Sequence, residues 1–182
     1  VIDYLQKGGK AIIVGMHSET EMPNFASILD TYGVSLTTGP IADNDAQHYY
    51  NMGGPLYLLP NVNSSSYTGS LSGGYVYLPI SLGINYPQNS TTDDTESTEE
   101  SKTTYTSLLD TSDDAVAKNN PNSMQDYGYE DGDDKGPFSV GLAVEDKVDD
   151  DHTTQLVVFA SPYVFSDDAS QMTTNNASLF SD

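Results

Sequence analysis

Three residues that could do chemistry follow the first apolar segment of the chain. His17, Ser18 and Glu19 come directly after the apolar run at 10–16, which predicts a buried strand. In open α/β sheets, ligands bind at the carboxyl ends of the strands. His17 could serve there as a base and Ser18 as a nucleophile, which is the chemistry of a hydrolase. The segment lacks the G-x-S-x-G elbow, however, and nothing fixes an acid that would orient the histidine. We therefore assign no catalytic residue and expect this edge to bind a ligand or a partner.

A second apolar segment adds two residues to the same edge. The run at 155–160 predicts another strand, and it is followed directly by Ser161 and then by Tyr163. Since the carboxyl ends of parallel strands meet at one edge of a sheet, we expect a single binding surface there. Its residues are His17, Ser18, Glu19, Ser161 and Tyr163.

The sequence predicts no metal site and no cofactor. Cysteine is absent, and His17, His48 and His152 are too far apart in sequence for any two of them to form a compact zinc site. The acidic stretch from Asp126 to Gly132 approaches the calcium-loop pattern, but Gly128 and Asp131 break its spacing. No glycine pair forms the G-x-G-x-x-G phosphate loop. An acidic surface domain that binds calcium or a cell-wall polymer stays open as an alternative.

Tyrosine is abundant, with 13 residues, whereas tryptophan is absent. Tyr49, Tyr50, Tyr75 and Tyr77 could form a surface on which a carbohydrate stacks. Tyrosines also favour half-buried strands, where they pack without binding a ligand. The sequence alone is compatible with both interpretations.

The charge balance excludes several classes of partner. The formal net charge is −21, all six basic residues are lysines, and arginine is absent. Nucleic acid is excluded because neutralising its phosphates requires a basic face. An anionic lipid surface would repel the chain.

The order of the predicted elements is that of an α/β protein. We expect residues 1–182 to form a single α/β domain in which a mostly parallel sheet is flanked by helices. Two acidic insertions interrupt it, a mobile loop at 88–103 and a second loop at 119–136, and a hairpin-like connection follows at 145–152. Strands are predicted at 10–16, 34–36, 56–59, 75–78, 104–109, 137–144 and 155–160, helices at 22–32 and from 176, and one helical turn at 113–118.

Several short motifs occur in an order typical of one family. Residues 4–14 match a "YL-x-x-GG-K" helix end followed by a core strand, and residues 25–34 match an "L-x-x-YGV" step from helix to strand. Residues 136–144 match "GP-x-x-x-x-LAV", and residues 156–166 match a "VVVFG" strand with its exit loop. The last motif is a helix start that carries Asn176.

In these motifs the chain resembles the extracytoplasmic domain of the gliding-motility-type auxiliary component of ABC transport systems. Ala160 departs from the family, which often has glycine there, and so does Pro162, where a polar residue is common. The resemblance implies a flavodoxin- or amidotransferase-like α/β fold, a membrane-tethered parent protein and no established catalytic residues.

These observations together predict a non-enzymatic, extracytoplasmic domain that binds a partner or ligand for an ABC-type transport system. The expected partners are the permease and ATPase subunits, reached through the full-length parent at the outer face of the bacterial cytoplasmic membrane. The segment Val1–Gly9 resembles the C-terminal end of a helix whose beginning is missing. At the other end, the given sequence stops at Leu179-Phe180 inside the helix predicted from 176. We therefore expect a fragment of a longer chain, anchored by segments outside it. A hydrolase-like α/β enzyme that uses the same sheet edge is the alternative, and the oligomeric state and the transported substrate stay open.

Overall fold

A computed structural model describes residues 1–69, 71, 75–88, 102–119 and 127–179 of the chain. Most of the acidic insertion predicted at 88–103 and part of the one at 119–136 therefore lie outside the described residues. No helix formed by the described residues combines the length and the apolar character that crossing a membrane requires.

Strands dominate the described part of the chain, with 31% of residues in strands and 14% in helices. The helices are α1 (Ile2–Leu5), α2 (Pro23–Asp30), α3 (Asp167–Met172) and α4 (Thr174–Ser178). The strands are β1 (Lys10–Val14), β2 (Ser35–Leu36), β3 (Ile41–Asp43), β4 (Tyr57–Leu58), β5 (Asn61–Val62), β6 (Leu78–Pro79), β7 (Ile84–Asn85), β8 (Thr103–Asp110), β9 (Ala115–Ala117), β10 (Asp134–Lys135), β11 (Ser139–Lys147) and β12 (Thr153–Phe159).

The main sheet is mixed and curled. Its order is β1-β12-β11-β7-β2, and β8 pairs with β11 on one side and β5 on the other. Strands β1 and β12 run parallel, whereas β11 is antiparallel to β12, β8 and β7. Two small antiparallel sheets accompany it, one of order β10-β9-β3 and one that pairs β4 with β6.

Alternating side chains of the long strands divide the core between the two faces of the sheet. On one face, Leu156 and Val158 of β12 pack with Leu29 of α2 and with Leu5. On the other face, Phe159 packs with residues of the small sheets. Alternation is the strand period, so both faces of the main sheet are covered. The cover differs, because helices α1 and α2 contribute to one face, whereas short strands and the end of α4 cover the other.

The predicted fold class is therefore wrong. The sequence favoured a mostly parallel, flavodoxin- or amidotransferase-like sheet flanked by helices, but β1/β12 is the one parallel pair among the described strands. The apolar run at 10–16 predicted a buried strand of the kind found in parallel sheets flanked by helices. It instead forms β1 at the sheet edge, where the Ile12 side chain is 47% exposed. On the second face, apolar residues of short strands such as Ile41 and Leu78 fill the place that a helix layer would take.

Individual elements were predicted better than their arrangement. The long strands β8, β11 and β12 and helix α2 lie within a few residues of their predicted positions. The helical turn expected at 113–118 is wrong, because β9 occupies this segment and pairs with β3 and β10. Helix α3 was not predicted; Ser166 begins it by accepting a hydrogen bond from the backbone N–H of Ala169.

Candidate functional site

At the predicted edge, β1 and β12 are parallel neighbours in which Val14 pairs with Phe159. The segments that follow them therefore leave the sheet at the same edge. His17, Ser18 and Glu19 are exposed there. The Nδ1 atom of His17 lies 3.1 Å from the carbonyl oxygen of Thr38, and Ser18 donates its hydroxyl hydrogen to the carbonyl of Thr20 at 2.8 Å. Within the described residues, no hydrogen bond joins His17 to Ser18.

Ser161 and Tyr163 occupy different environments although they are two residues apart. Ser161 is fully buried, and its hydroxyl donates to the carbonyl of Pro79 at 2.6 Å. The same hydroxyl accepts from the backbone N–H of Tyr163 at 3.3 Å. Tyr163 is 45% exposed and lines a pocket. Ser161 thus holds the backbone of this pocket in place, and Tyr163 forms part of its wall.

We call this hollow the tyrosine pocket; its volume is about 280 Å³. Ring faces dominate its chemistry. The rings of Tyr57 and Tyr77 are stacked at 22° with centroids 6.3 Å apart, and Tyr50 contacts Tyr77 edge-on at 6.1 Å. Such geometries stabilise aromatic clusters; Tyr77 is buried at 8% exposure, whereas Tyr57 is partly exposed. The pocket is lined by Tyr57, Tyr77, Pro79, Ile80, Tyr163, Ser166 and Asp168.

The tyrosines are held by backbone hydrogen bonds from distant parts of the chain. Pairing of β4 with β6 places Tyr57 opposite Pro79. The buried Asn176 accepts from the N–H of Tyr77 at 2.8 Å and donates to its carbonyl at 2.9 Å. The same amide donates to the carbonyl of Val164 at 2.7 Å, next to Tyr163. One asparagine therefore fixes two walls of the tyrosine pocket relative to each other.

Ile80 adds backbone strain to the pocket wall. Its φ angle is +52°, the left-handed region, which a β-branched residue rarely adopts. Hydrogen bonds on both sides hold it there, since its N–H donates to Leu56 at 2.8 Å and the carbonyl of Ser81 accepts from Ile41 at 2.7 Å. Strained residues of this kind cluster at ligand sites, where the surrounding structure enforces them.

The electrostatics of the pocket favour positive charge. Asp168 is exposed, and it is the charged residue among the described side chains that line the pocket. Burial raises the pKa of Tyr77, and the neighbouring Tyr57, Tyr50 and Asp168 raise that pKa further because they oppose a phenolate. Tyr77 therefore stays neutral at physiological pH, with its ring face and hydroxyl intact.

A second hollow, which we call the β1 groove, has about 260 Å³ and a mainly apolar lining that includes Ile12, Val157 and Phe159. Its polar end is internally paired, because Glu145 accepts hydrogen bonds from Tyr67 at 2.7 Å and from Gln155 at 3.0 Å. Burial and the neighbouring Glu145 raise the pKa of Tyr67. The groove therefore offers apolar surface and few free polar groups.

The described part of the acidic segment 119–136 surrounds a buried cation. Lys118 is 1% exposed and donates to Asp133 at 2.6 Å, Glu130 at 3.2 Å and the carbonyl of Gly128 at 2.7 Å. We call this group the Lys118 site. Among the described residues there is no cluster of three or more acidic or histidine side chains placed to hold a metal ion. Asp126, the first residue of the calcium-like stretch, lies outside the described residues.

Sequence reasoning identified part of the tyrosine pocket. Tyr163 was placed on the binding edge, and Tyr77 was considered for carbohydrate stacking. Tyr57, Ile80 and Asp168 were missed, because they come from separate segments that only the fold brings together. The sequence did contain an indication for Tyr57, since the strand β4 that carries it is bounded by Pro55 and Pro60.

Comparison with known proteins gives a likeness of fold. No protein-family model matches the chain, and no curated protein matches it. The chain is similar to a solved structure described as "mmIFT52 N-terminal domain", with a TM-score of 0.60 and 14% sequence identity. The match covers 98% of this chain and 64% of that chain. At this identity the likeness concerns the fold alone, and the chain spans less than two thirds of that structure.

Proposed function

We propose that this chain is a protein-binding domain without catalytic activity, and that the tyrosine pocket is its recognition site. The observation that carries the proposal is the pocket itself, in which aromatic faces and an unshared carboxylate lie at the edge where β12 ends. Tyrosine is enriched at protein interfaces because it combines a large apolar face with a polar end. A strained backbone and a buried asparagine clamp hold the pocket walls in place before any partner binds.

We further propose that the domain belongs to an auxiliary subunit of an ABC-type transport system and acts at the extracytoplasmic face of the membrane. The support is the resemblance in sequence motifs. Two of these motifs build the tyrosine pocket: the segment 156–166 supplies Ser161 and Tyr163, and the last motif supplies Asn176. The permease subunit is the expected partner.

The test is site-specific crosslinking in cells that make the full-length parent protein. A photoreactive phenylalanine analogue replaces Tyr163, which is 45% exposed, and the covalent product is identified by mass spectrometry. The same analogue at Tyr129, which is 49% exposed and lies away from the pocket lining, is the matched control. A product with an ABC permease from position 163 and not from 129 supports the proposal. Equal products from both positions, or none with a permease, contradict it.

The non-enzymatic part of the proposal has a separate test. Ester, amide and phosphoester substrates are incubated with the purified chain and with its His17→Ala and Ser18→Ala variants. We expect no turnover above the uncatalysed rate, because no base is bonded to the Ser18 hydroxyl, which donates to Thr20. Turnover that disappears in either variant would establish the hydrolase alternative.

A further inference from the structure

We propose that the tyrosine pocket binds a basic side chain, that of an arginine or lysine presented by a protein partner. The inference rests on the proposed function and adds the chemistry of recognition. It combines three features: ring faces of Tyr57 and Tyr77, the Asp168 carboxylate at the rim, and the strong negative charge of the whole chain.

The ring faces carry the first part of the argument. The face of an aromatic ring bears negative electrostatic potential, so a cation within about 6 Å of a ring centroid is attracted to it. The chain already contains this interaction, because the Lys135 ammonium lies 4.4 Å from the centroid of the Tyr129 ring. The tyrosine pocket has two stacked rings and no lysine among the described residues that line it. A cation that binds these rings would therefore come from another molecule.

The negative charge of Asp168 and of the whole chain is the second part of the argument. Asp168 is exposed, and no ion pair within the described residues engages its carboxylate. A cationic head group in the pocket would meet this carboxylate at the rim. The formal net charge of −21 attracts cations over a longer distance and raises their association rate, whereas it disfavours anionic ligands.

Size is the third part. Pockets for drug-sized molecules measure about 300–1,000 Å³. At about 280 Å³ the tyrosine pocket is smaller, which suits one side chain of a partner better than an oligosaccharide.

The backbone around the pocket also argues against a sugar. A hydroxyl-rich ligand needs many free donors and acceptors, but the backbone N–H and carbonyl of Tyr77 are taken by Asn176 and the carbonyl of Pro79 by Ser161. The N–H of Ile80 is likewise bonded to Leu56. The ring faces, the tyrosine hydroxyls and one carboxylate remain, and the ring faces together with the carboxylate fit a guanidinium or an ammonium group.

The experiment is an NMR titration of the 182-residue chain with ring-labelled tyrosine. The probe is Nα-acetyl-arginine amide, and the uncharged isostere Nα-acetyl-citrulline amide and methyl glucoside are the competing ligands. We expect saturable shifts of pocket tyrosine resonances with the arginine probe, at least about fivefold tighter than with citrulline. Equal affinity for the two probes, or saturable binding of the glucoside in place of arginine, would overturn the inference.

Variants separate the contributions of ring and carboxylate. Asp168→Asn removes an exposed charge without altering the core and should weaken arginine binding about three- to tenfold. Tyr57→Phe keeps the ring face and should retain the affinity within about twofold, whereas Tyr57→Leu removes the face and should weaken binding about three- to tenfold. Tyr129→Leu, outside the pocket, should leave it unchanged. Unaltered affinity in both Asp168→Asn and Tyr57→Leu would contradict the inference.

The crosslinking and arginine-binding experiments together distinguish failure of this inference from failure of the proposed function. If position 163 crosslinks to a permease but the arginine probe does not bind, the pocket recognises its partner by another chemistry and the inference alone is wrong. If the arginine probe binds but position 163 gives no permease product, the ABC transport assignment is wrong and the cation site stands.

Discussion

The Lys118 site and the tyrosine pocket both gather charged and polar groups, but they differ in where the positive charge comes from. At the Lys118 site the chain supplies its own cation, and the three hydrogens of the ammonium are donated to Gly128, Glu130 and Asp133. In the tyrosine pocket the rings and the Asp168 carboxylate have no such internal cation among the described residues. A site whose carboxylates are paired with a cation of the same chain stabilises the fold. A site whose carboxylate has no such cation is suited to binding one from a partner.

Removing the internal cation should produce the largest effect on stability. Lys118→Met leaves the Asp133 carboxylate buried without its partner, which should lower the free energy of unfolding by about 3–5 kcal/mol. Urea denaturation measures the change. Lys147→Met is the matched control, because the exposed pair of Lys147 and Asp150 should contribute less than about 1 kcal/mol.

The double variant Lys118→Met/Asp133→Leu sharpens this prediction. It removes both charges, so most of the lost stability should return. Arginine binding in the tyrosine pocket should be unchanged in the double variant. A loss of arginine binding there would show that the two regions are not independent and would break the comparison.

The acid sensitivity of the Lys118 site is the next effect in size. Burial alone would raise the pKa of Asp133, but hydrogen bonds from Lys118 and from the backbone N–H groups of Glu130 and Asn119 outweigh burial and lower the pKa. The charged pair therefore stabilises the fold above the ordinary aspartate value of 3.8, and this contribution is lost as the pH falls through the lowered pKa.

The measurement is the difference in unfolding free energy between the native chain and the Lys118→Met/Asp133→Leu variant from pH 7 to pH 2. We expect this difference to stay constant down to about pH 4 and to shift against the native chain below it. The comparison with the double variant cancels the titration of the many other carboxylates. A difference that is flat across the whole range would show that Asp133 does not depend on its charged form.

Of the residues predicted at the binding edge, Ser161 has a structural role, and its substitution should affect stability more than that of Ser18. Its hydroxyl is buried against the Pro79 carbonyl, so Ser161→Ala should lower the free energy of unfolding by about 1–2 kcal/mol. Ser18→Ala, at an exposed position on the same edge, should change it by less than about 0.5 kcal/mol. Thermal unfolding of both variants gives the comparison, and equal effects would contradict the structural role of Ser161.

The sequence allowed the long elements to be predicted but not the direction of the strands. Alternating apolar residues in β11 and a continuous apolar run in β12 are visible in the sequence, and so is the apolar stripe of α2. The connection between β11 and β12 was recognised as hairpin-like, and so short a connection joins antiparallel strands. The parallel interpretation gave more weight to the apolar run of β1, which an edge strand also accommodates when one face packs on a core.

The candidate site was predictable where it depends on the parallel pairing of β1 with β12. The meeting of the β1 and β12 ends follows from their direction, and Tyr163 was named for that reason. The role of Ser161 could not be predicted, since its burial against Pro79 depends on strand β6, 82 residues earlier in the chain. That Tyr57 and Asp168 line the same pocket also follows only from the fold, because no sequence periodicity relates residues so far apart.

The smallest expected effect concerns Ile80, and it tests whether strain in the tyrosine pocket serves binding. Asparagine tolerates the left-handed backbone far better than a β-branched residue does, so Ile80→Asn relieves strain at φ +52°. Ile80 is only half-buried, so the apolar contact that is lost offsets part of this gain. We expect the free energy of unfolding to rise by about 0.5 kcal/mol, measured by urea denaturation. The Ile80 side chain lines the pocket, so arginine binding should weaken at the same time. If Ile80→Asn is less stable and binds arginine equally well, Ile80 contributes packing alone. The strain at Ile80 would then no longer distinguish the tyrosine pocket, as a binding site, from the Lys118 site, as a stabilising one.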